Sequence, residues 1–465
     1  MKQAMIIKSI KNHIQADPIS FHTPGHKGGN LIPDQMQIQS GGLWEYDLTE
    51  IPGLDNLHKP EGCIKEAQEE AARLFKAKKT HFLVNGSSVG IHSAIMALAH
   101  DKYIFVPRHV HKSIYNATIL ANAKPIYLPV AFEEKSGIPL GIEPEVLKRF
   151  ILDYPKCKVI ILPNPNYQGI SYQLEEIIYL AKKNDIKVII DEAHGSHFLF
   201  HKSLPKSGLE LGADIVIQSW HKTLPVLTQG SVLHEGNNYQ GPDLSPFINM
   251  LQTTSPSYLL LASLDSCRVF LAEKGQEILE ETYHKLIDFN KKVTTLTTFT
   301  INFALKEQRD FLKLNLSSEV FSGLEIDKIL RERFQIFSEL SEENYILFIF
   351  SLKVEDTVLN RLLEALTQID QMARKKNAKI EKIQKNIYNI IPEQGLAPRD
   401  AFYGNKKMIS LDVAVGRICG EFILKYPPGI PLVVPGEMID FKMLEILKGD
   451  IAFRDKREIM IMDDI

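Results

Sequence analysis

Short apolar runs alternate with amphipathic stretches along most of this chain. Residues 64–77 (IKEAQEEAARLFKA) place apolar side chains at helical spacing. The run 81–84 (HFLV) follows, then a turn at 85–88 (NGSS) and a second helical stretch at 89–100. Further apolar runs at 103–106, 125–128, 159–162, 188–190, 215–217 and 231–233 predict buried strands, with helices such as 174–183 between several of them. Apolar strands alternating with helices predict a mostly parallel α/β sheet covered on both faces.

The pattern changes at a long helical passage, 259–290, which marks a boundary. A second, smaller α/β unit follows at 291–375, with strand-like runs at 297–303 and 345–352. A lysine-rich helical stretch, 372–385, leads into a last segment rich in Pro and Gly. At the other end, a short amphipathic helix (Ile6, Ile7, Ile10, Ile14) precedes the arm FHTPGHKGGN at 21–30. That arm has little core of its own, so it is expected to pack on another subunit or over a site. The expected units are therefore an arm at 1–45, a large domain at 46–290, a small α/β domain at 291–375 and a C-terminal domain at 376–465. No internal repeat or low-complexity segment interrupts them.

Composition narrows the classes. The 465 residues are 44% hydrophobic and 24% charged, with a formal net charge of -3. That is a soluble, globular balance, and it gives no basic surface for nucleic acid. Cys63, Cys157, Cys267 and Cys419 are widely separated and form no CxxC pair, which suits reduced thiols in a cytoplasmic protein. The first residues are too charged for a signal peptide, and no apolar run is long enough to span a bilayer.

Candidate chemistry gathers at predicted strand ends, where open parallel sheets bind their ligands. Lys222 ends the stretch 215–222 (IVIQSWHK), directly off a core strand. A lysine in a dry pocket loses its proton and becomes a nucleophile for carbonyl groups. Ser219 and His221 beside it suit a phosphate, and together they suggest pyridoxal phosphate held as a Schiff base on Lys222. Ser87 and Ser88 open a helix whose free N–H groups suit an anion, although a plain N-cap explains them equally. The loop 107–113 (PRHVHKS) offers an imidazole to stack on a ring or relay a proton, and a polar surface loop is the alternative. Asp191 ends the strand 188–190 and is placed to hold a pyridinium N–H. It could equally cap a turn, or bind a metal with His194 and His197, although no further ligand cluster supports a metal. The three roles of anion cradle, proton anchor and amine nucleophile complement one another, which favours the joint reading over each separate alternative.

These motifs resemble the bacterial Orn/Lys/Arg decarboxylases of pyridoxal phosphate fold type I (the aspartate-aminotransferase-like α/β fold), and among them the short Gram-positive type that lacks an N-terminal wing domain. The matching stretches are 21–28 (FHTPGHKG), 53–58 (GLDNLH), 82–90, 108–113, 191–197 (DEAHGSH), 219–222, 253–258 (TTSPSY), 398–403 (PRDAFY) and 426–437 (YPPGIPLVVPGE). The resemblance implies catalytic roles for Lys222, His111, Asp191 and His194. Lys222 would carry the cofactor, His111 would stack on its ring, Asp191 would pair with its ring nitrogen and His194 would lie beside it. Ser87, Ser88, Ser219 and His221 would lie at the phosphate. Thr254 and Ser255 resemble the stretch that reaches the neighbouring subunit's phosphate. Glu437 resembles the acid that receives the substrate's distal cation. Three positions depart from the family's pattern: His109 where RN-x-HKS is usual, Asn166 where NPTY-x-G is usual, and the bulky Trp220 in S-x-HK.

The implied activity is decarboxylation of arginine, lysine or ornithine to an amine and CO2, in a homodimer or higher homo-oligomer with neither nucleic-acid nor membrane partner. An aminotransferase on the same fold, or a catalytically idle protein that binds the cofactor, are the competing readings.

Overall fold

A computed structural model describes residues 3–29, 42–133, 136–302, 308–376, 390–425, 429–449 and 456–463. The last residue of the Gly- and Pro-rich arm, residue 303 of a predicted strand, 377–385 of the lysine-rich stretch and 426–428 of the C-terminal loop lie outside them.

Seven strands form the main sheet: β1 (Lys79–Leu83), β2 (Tyr103–Pro107), β3 (Lys124–Leu128), β4 (Val159–Pro163), β5 (Lys187–Asp191), β6 (Ile215–Gln218) and β7 (Ser231–Glu235), in the spatial order β1-β7-β6-β5-β4-β2-β3. Pairing is parallel from β3 through β6, and only β7 runs against its neighbours. All seven predicted strands are present, each within a residue or two of its expected bounds.

The helices, in chain order, include α1 (Met5–Gln15), α2 (Cys63–Phe75), α3 (Ser87–Ala99), α4 (Lys112–Leu120), α5 (Leu174–Lys183), α6 (Tyr258–Val293) and α7 (Asp356–Lys376). Alternation along each strand sends successive side chains to opposite faces. Ile104, Val106, Ile161, Ile189, Ile215 and Ile217 fill one core with α3 and α4. Phe105, Ile160, Leu162, Val188, Ile190 and Val216 fill the other, where the C-terminal segment packs through Leu432, Val433, Ile439 and Ile461. Helix α3 lies so close to the sheet that a Cβ on Gly90 would stand 2.9 Å from Leu83 Cδ1 and 3.0 Å from Ile217 Cγ2. No helix among the described residues is long and apolar enough to cross a membrane.

A four-stranded antiparallel sheet follows α6: β8 (Phe299–Ile301), β9 (Lys313–Ser318), β10 (Leu340–Ser341) and β11 (Ile346–Ile349), in the order β8-β9-β11-β10. Strand β9 was absent from the sequence-based expectation. Its alternate residues Lys313, Asn315 and Ser317 are polar, as on a solvent face, yet all are buried. Two of them bond the large domain instead: Lys313 Nζ donates to Tyr167 O at 2.7 Å, and Asn315 Nδ2 to Gln168 O at 3.0 Å, while Ser317 Oγ donates to Asn302 Oδ1 at 3.1 Å.

The C-terminal segment is tied to the main sheet by a buried ion pair. Arg108, in the loop after β2, donates to both carboxylate oxygens of Glu437, at 2.6 and 2.8 Å, and to Leu432 O at 2.6 Å. Glu437 is fully buried and also accepts from Val434 N at 2.8 Å. Burial works against the Arg108 charge, but Glu437 together with Tyr115 and Tyr127 holds the guanidinium above its ordinary pKa. Burial also pushes the Glu437 carboxyl up, against the pull of Arg108. The expectation that Glu437 receives a substrate cation is therefore corrected. Its acceptor positions are filled by Arg108 and a backbone N–H, and it has no access to solvent.

Removing one partner of such a pair strands the other charge. Glu437→Ala is expected to destabilise the fold by about 3–5 kcal/mol, read as a lowered denaturation midpoint. The paired replacement Arg108→Met with Glu437→Leu is expected to recover most of that loss; a midpoint as low as that of the single variant would speak against the pair as the tie.

Candidate active site

The carboxyl ends of the parallel strands open into a cavity of about 970 Å³. Ser87, Ser88, His111, Asp191, His194, Ser219, His221 and Lys222 all line it. Eight of the predicted residues thus meet at one place, although they come from four separate stretches of chain. Thr254 and Ser255 do not line it; they sit on an exposed loop. Glu437 is likewise outside it.

Each group is placed by a local device. Gly86, with φ of 79°, turns the chain from β1 into the start of α3. That turn presents the backbone N–H groups and hydroxyls of Ser87 and Ser88 at a helix start. Ser219, off the end of β6, donates from its hydroxyl to Ser87 Oγ at 2.7 Å, so the two strand ends share one polar cradle. His221 Nδ1 donates to Gly230 O at 3.0 Å. Asp191, the last residue of β5, is buried and its Oδ1 accepts from Ala193 N at 3.2 Å. His111 caps α4: its Nδ1 accepts from Ser113 N at 3.2 Å and lies 2.9 Å from Ser113 Oγ. With Nδ1 the acceptor, the proton sits on Nε2.

The groups at the centre of the cavity are partly desolvated, and their proton affinities follow. Burial lowers the Lys222 ammonium's pKa, while Asp191 and Glu339 oppose the shift. Lys222 Nζ lies 3.1 Å from His194 Nε2. Burial, reinforced by the Lys222 charge, holds His194 well below the usual imidazole value, so it is a neutral acceptor for the amine. Burial also lowers His111, with Asp191 pulling the other way. The Tyr167 ring stands edge-on to His194, with centroids 5.0 Å apart.

The three departures from the family's pattern have different fates. Trp220 is fully buried away from the cavity, stacked on Phe75 at 5.2 Å, and its Nε1 donates to Gln218 Oε1 at 3.0 Å. It adds core rather than reshaping the pocket. Asn166 lines the cavity but spends its side chain on the loop, donating to Pro139 O at 2.6 Å and accepting from Ile170 N at 2.9 Å. His109 lines the cavity wall, and neither of its ring nitrogens has a hydrogen-bond partner among the described residues. His197 bonds Asp310 at 3.0 Å behind the wall, a structural contact that accounts for it. Sequence reasoning missed Glu339, which lines the cavity from the small sheet. An acid ahead of a short strand carries no signal that could have found it.

The donor set fits pyridoxal phosphate. Hydroxyls and a helix start suit the phosphate, a buried carboxylate suits the ring nitrogen, an imidazole suits the ring face, and an amine biased to neutrality suits the carbonyl.

His109 supplies a test of how dry the wall is. Burial pushes its pKa from 6.5 down to about 4. Between those values the unfolded chain binds a proton that the folded chain refuses. Stability from this group is therefore present above about pH 6.5 and lost as the pH falls toward 4. His109→Asn is expected to reduce proton uptake on unfolding near pH 5 by about one proton. The measurement is the slope of denaturation free energy against pH; an unchanged slope would contradict the burial of this imidazole.

Known proteins share this layout. The family model for the Orn/Lys/Arg decarboxylase major domain matches residues 5–310, and that for the C-terminal domain matches 381–454. An arginine decarboxylase of Bacillus subtilis is 38% identical over 442 residues, covering 92% of this chain and 90% of that one. An arginine decarboxylase of Bacillus anthracis is 35% identical over 464 residues, covering 96% and 92%. The solved lysine decarboxylase A of Pseudomonas aeruginosa superposes with a TM-score of 0.86 at 20% identity, over 98% of this chain and 80% of that one. That likeness fixes the fold as pyridoxal phosphate fold type I. With the sequence matches, it follows that the chain belongs to the Orn/Lys/Arg decarboxylase family.

Proposed function

We propose that the chain decarboxylates arginine, giving agmatine and CO2, with pyridoxal phosphate held on Lys222. The observation that carries this reading is the Lys222 amine, 3.1 Å from His194 Nε2 and sharing one cavity with Asp191 and the serine cradle. The choice of arginine among the basic amino acids is supported by the names of the relatives at 38% and 35% identity.

When bound, the cofactor supplies a sink for the electron pair left at Cα as the carboxylate departs. The chain's own residues supply the rest. Ser87, Ser88, Ser219 and His221 hold the phosphate, and Asp191 keeps the ring nitrogen protonated. Lys222, its proton affinity lowered by partial desolvation, offers its amine as a nucleophile and takes a proton back at Nζ. His194 Nε2 accepts from that amine, so the pair stores the proton that returns to Cα. The Cα–carboxylate bond breaks, one proton is consumed, and CO2 and the amine leave. Apolar wall residues such as Ile91, Phe270 and Ile430 keep water from the reacting carbon.

A homo-oligomer fits the same reading. Ile19 and Phe21, 84% and 92% exposed, leave the N-terminal arm uncovered in a single chain. Thr254 and Ser255, outside their own chain's cavity, are free to reach a second copy's. Four free cysteines suit a reducing, cytoplasmic setting.

The experiment incubates purified protein and pyridoxal phosphate with arginine, lysine and ornithine, and identifies products by mass spectrometry. Agmatine with equimolar CO2 is expected. A keto acid would make the protein an aminotransferase, and no change in absorbance on adding substrate would make it an idle binder. Lys222→Ala is expected to lose the visible absorbance of the bound cofactor, and CO2 release is expected to fall by on the order of 10³-fold or more.

A further inference from the structure

A basic amino acid carries a second cation at its far end, and a cavity that encloses it needs a carboxylate to meet it. Two carboxylates are among the described residues that line the cavity, Asp191 and Glu339. Asp191 lies at the floor with His111 and Lys222, where the reacting end of the substrate belongs. Glu437 is closed off by Arg108.

Glu339 sits on the small sheet, immediately before β10, and its backbone N donates to Leu347 O at 2.9 Å. This edge pairing fixes the residue on the wall across from the strand ends. Tyr167 donates from its hydroxyl to Glu339 Oε1, which leaves Oε2 for a second partner. The Tyr167 loop is in turn held by Lys313, whose Nζ donates to Tyr167 O at 2.7 Å. The Glu339 charge reaches the reaction centre, since it raises the proton affinity of both Lys222 and Lys313. The lysine that lines the same side, Lys353, is paired with Glu355 at 3.3 Å and so does not neutralise Glu339.

We infer that Glu339 is the carboxylate that receives the distal guanidinium or ammonium of the substrate, and that Tyr167 is the positioning residue that orients it. This rests on the reading above that the substrate is a basic amino acid. It assigns substrate choice to the small sheet and bond chemistry to the large one.

The test uses the full-length protein loaded with pyridoxal phosphate. Glu339→Gln is expected to raise KM for arginine by about 10- to 100-fold, the loss of one charge-assisted contact, with kcat changed only a few-fold. The amount of bound cofactor and the thermal midpoint should stay as in the wild type, and Glu339→Asp should recover part of the lost affinity. Calorimetric binding of agmatine, which has the distal cation but no carboxylate, should weaken by a similar factor. Discrimination between arginine and its neutral isostere citrulline should shrink in the variant. Tyr167→Phe should raise KM in the same direction, and the double variant should be no worse than Glu339→Gln alone. Active wild-type protein whose Glu339→Gln variant binds arginine and agmatine unchanged would overturn this inference while leaving the decarboxylase reading intact. Wild-type protein that releases no CO2 from arginine, lysine or ornithine would overturn both.

Discussion

The site depends on where the Lys222 amine lies, at the cavity floor beside the buried Asp191 and His194. Partial loss of hydration there lowers the ammonium's proton affinity. The same partial desolvation acts on the imidazoles around it. His194, His111, His109 and His221 are all held below the ordinary imidazole value by burial first. Lys313, fully enclosed behind the wall, is pushed down to about 7. An amine and imidazoles of lowered basicity can pass a proton at small cost, where a set of cations would repel one another. Asp191 and Glu339 oppose the shift at Lys222, so its amine is biased toward neutrality rather than stripped of basicity.

The two sheets are joined by polar contacts that look wasteful until they are traced. Lys313, Asn315 and Asp310 are buried, and they bond Tyr167 O, Gln168 O and His197 of the large domain. A buried polar group without a partner costs about 1–3 kcal/mol, so these pairings select one docking of the small sheet rather than many. The outcome is a fixed Tyr167, which touches His194 through its ring edge and Glu339 through its hydroxyl. One side chain thus relates the reaction centre to the far wall.

Much of the large domain was legible because its strands are apolar on both faces. Short apolar runs such as 188–190 and 215–217, rich in β-branched residues and alternating with helical stretches, favour buried strands, and strand-end placement then collected Asp191 and Lys222. The small sheet was less legible. Strand β9 alternates Lys-Leu-Asn-Leu-Ser, the pattern of a half-exposed edge, while its polar face is in fact buried against the Tyr167 loop. A period-2 pattern reports which residues share a face and is silent on what covers that face. Glu339 was illegible for a related reason: its position depends on how a separate sheet docks, which no local pattern encodes. Trp220 shows the converse. Its bulk next to Lys222 departs from the family's pattern, but positions two apart in that short helical turn point to opposite sides, and the ring stacks on Phe75.

Glu437 separates the specificity of a motif from the role of its acid. The string 426–437 marks the family well, yet the carboxylate in it is already bidentate with Arg108. A substrate guanidinium would have to displace that arginine and leave it buried and unpaired, at about 3–5 kcal/mol. The new contact would return only about 1.5–3 kcal/mol, the worth of a charged hydrogen bond. The exchange is unfavourable at both ends of those ranges. Glu437 therefore anchors the C-terminal segment to the loop after β2. The distal cation is left to a carboxylate that faces the cavity with an oxygen unspent, and the wall that carries one belongs to the small sheet.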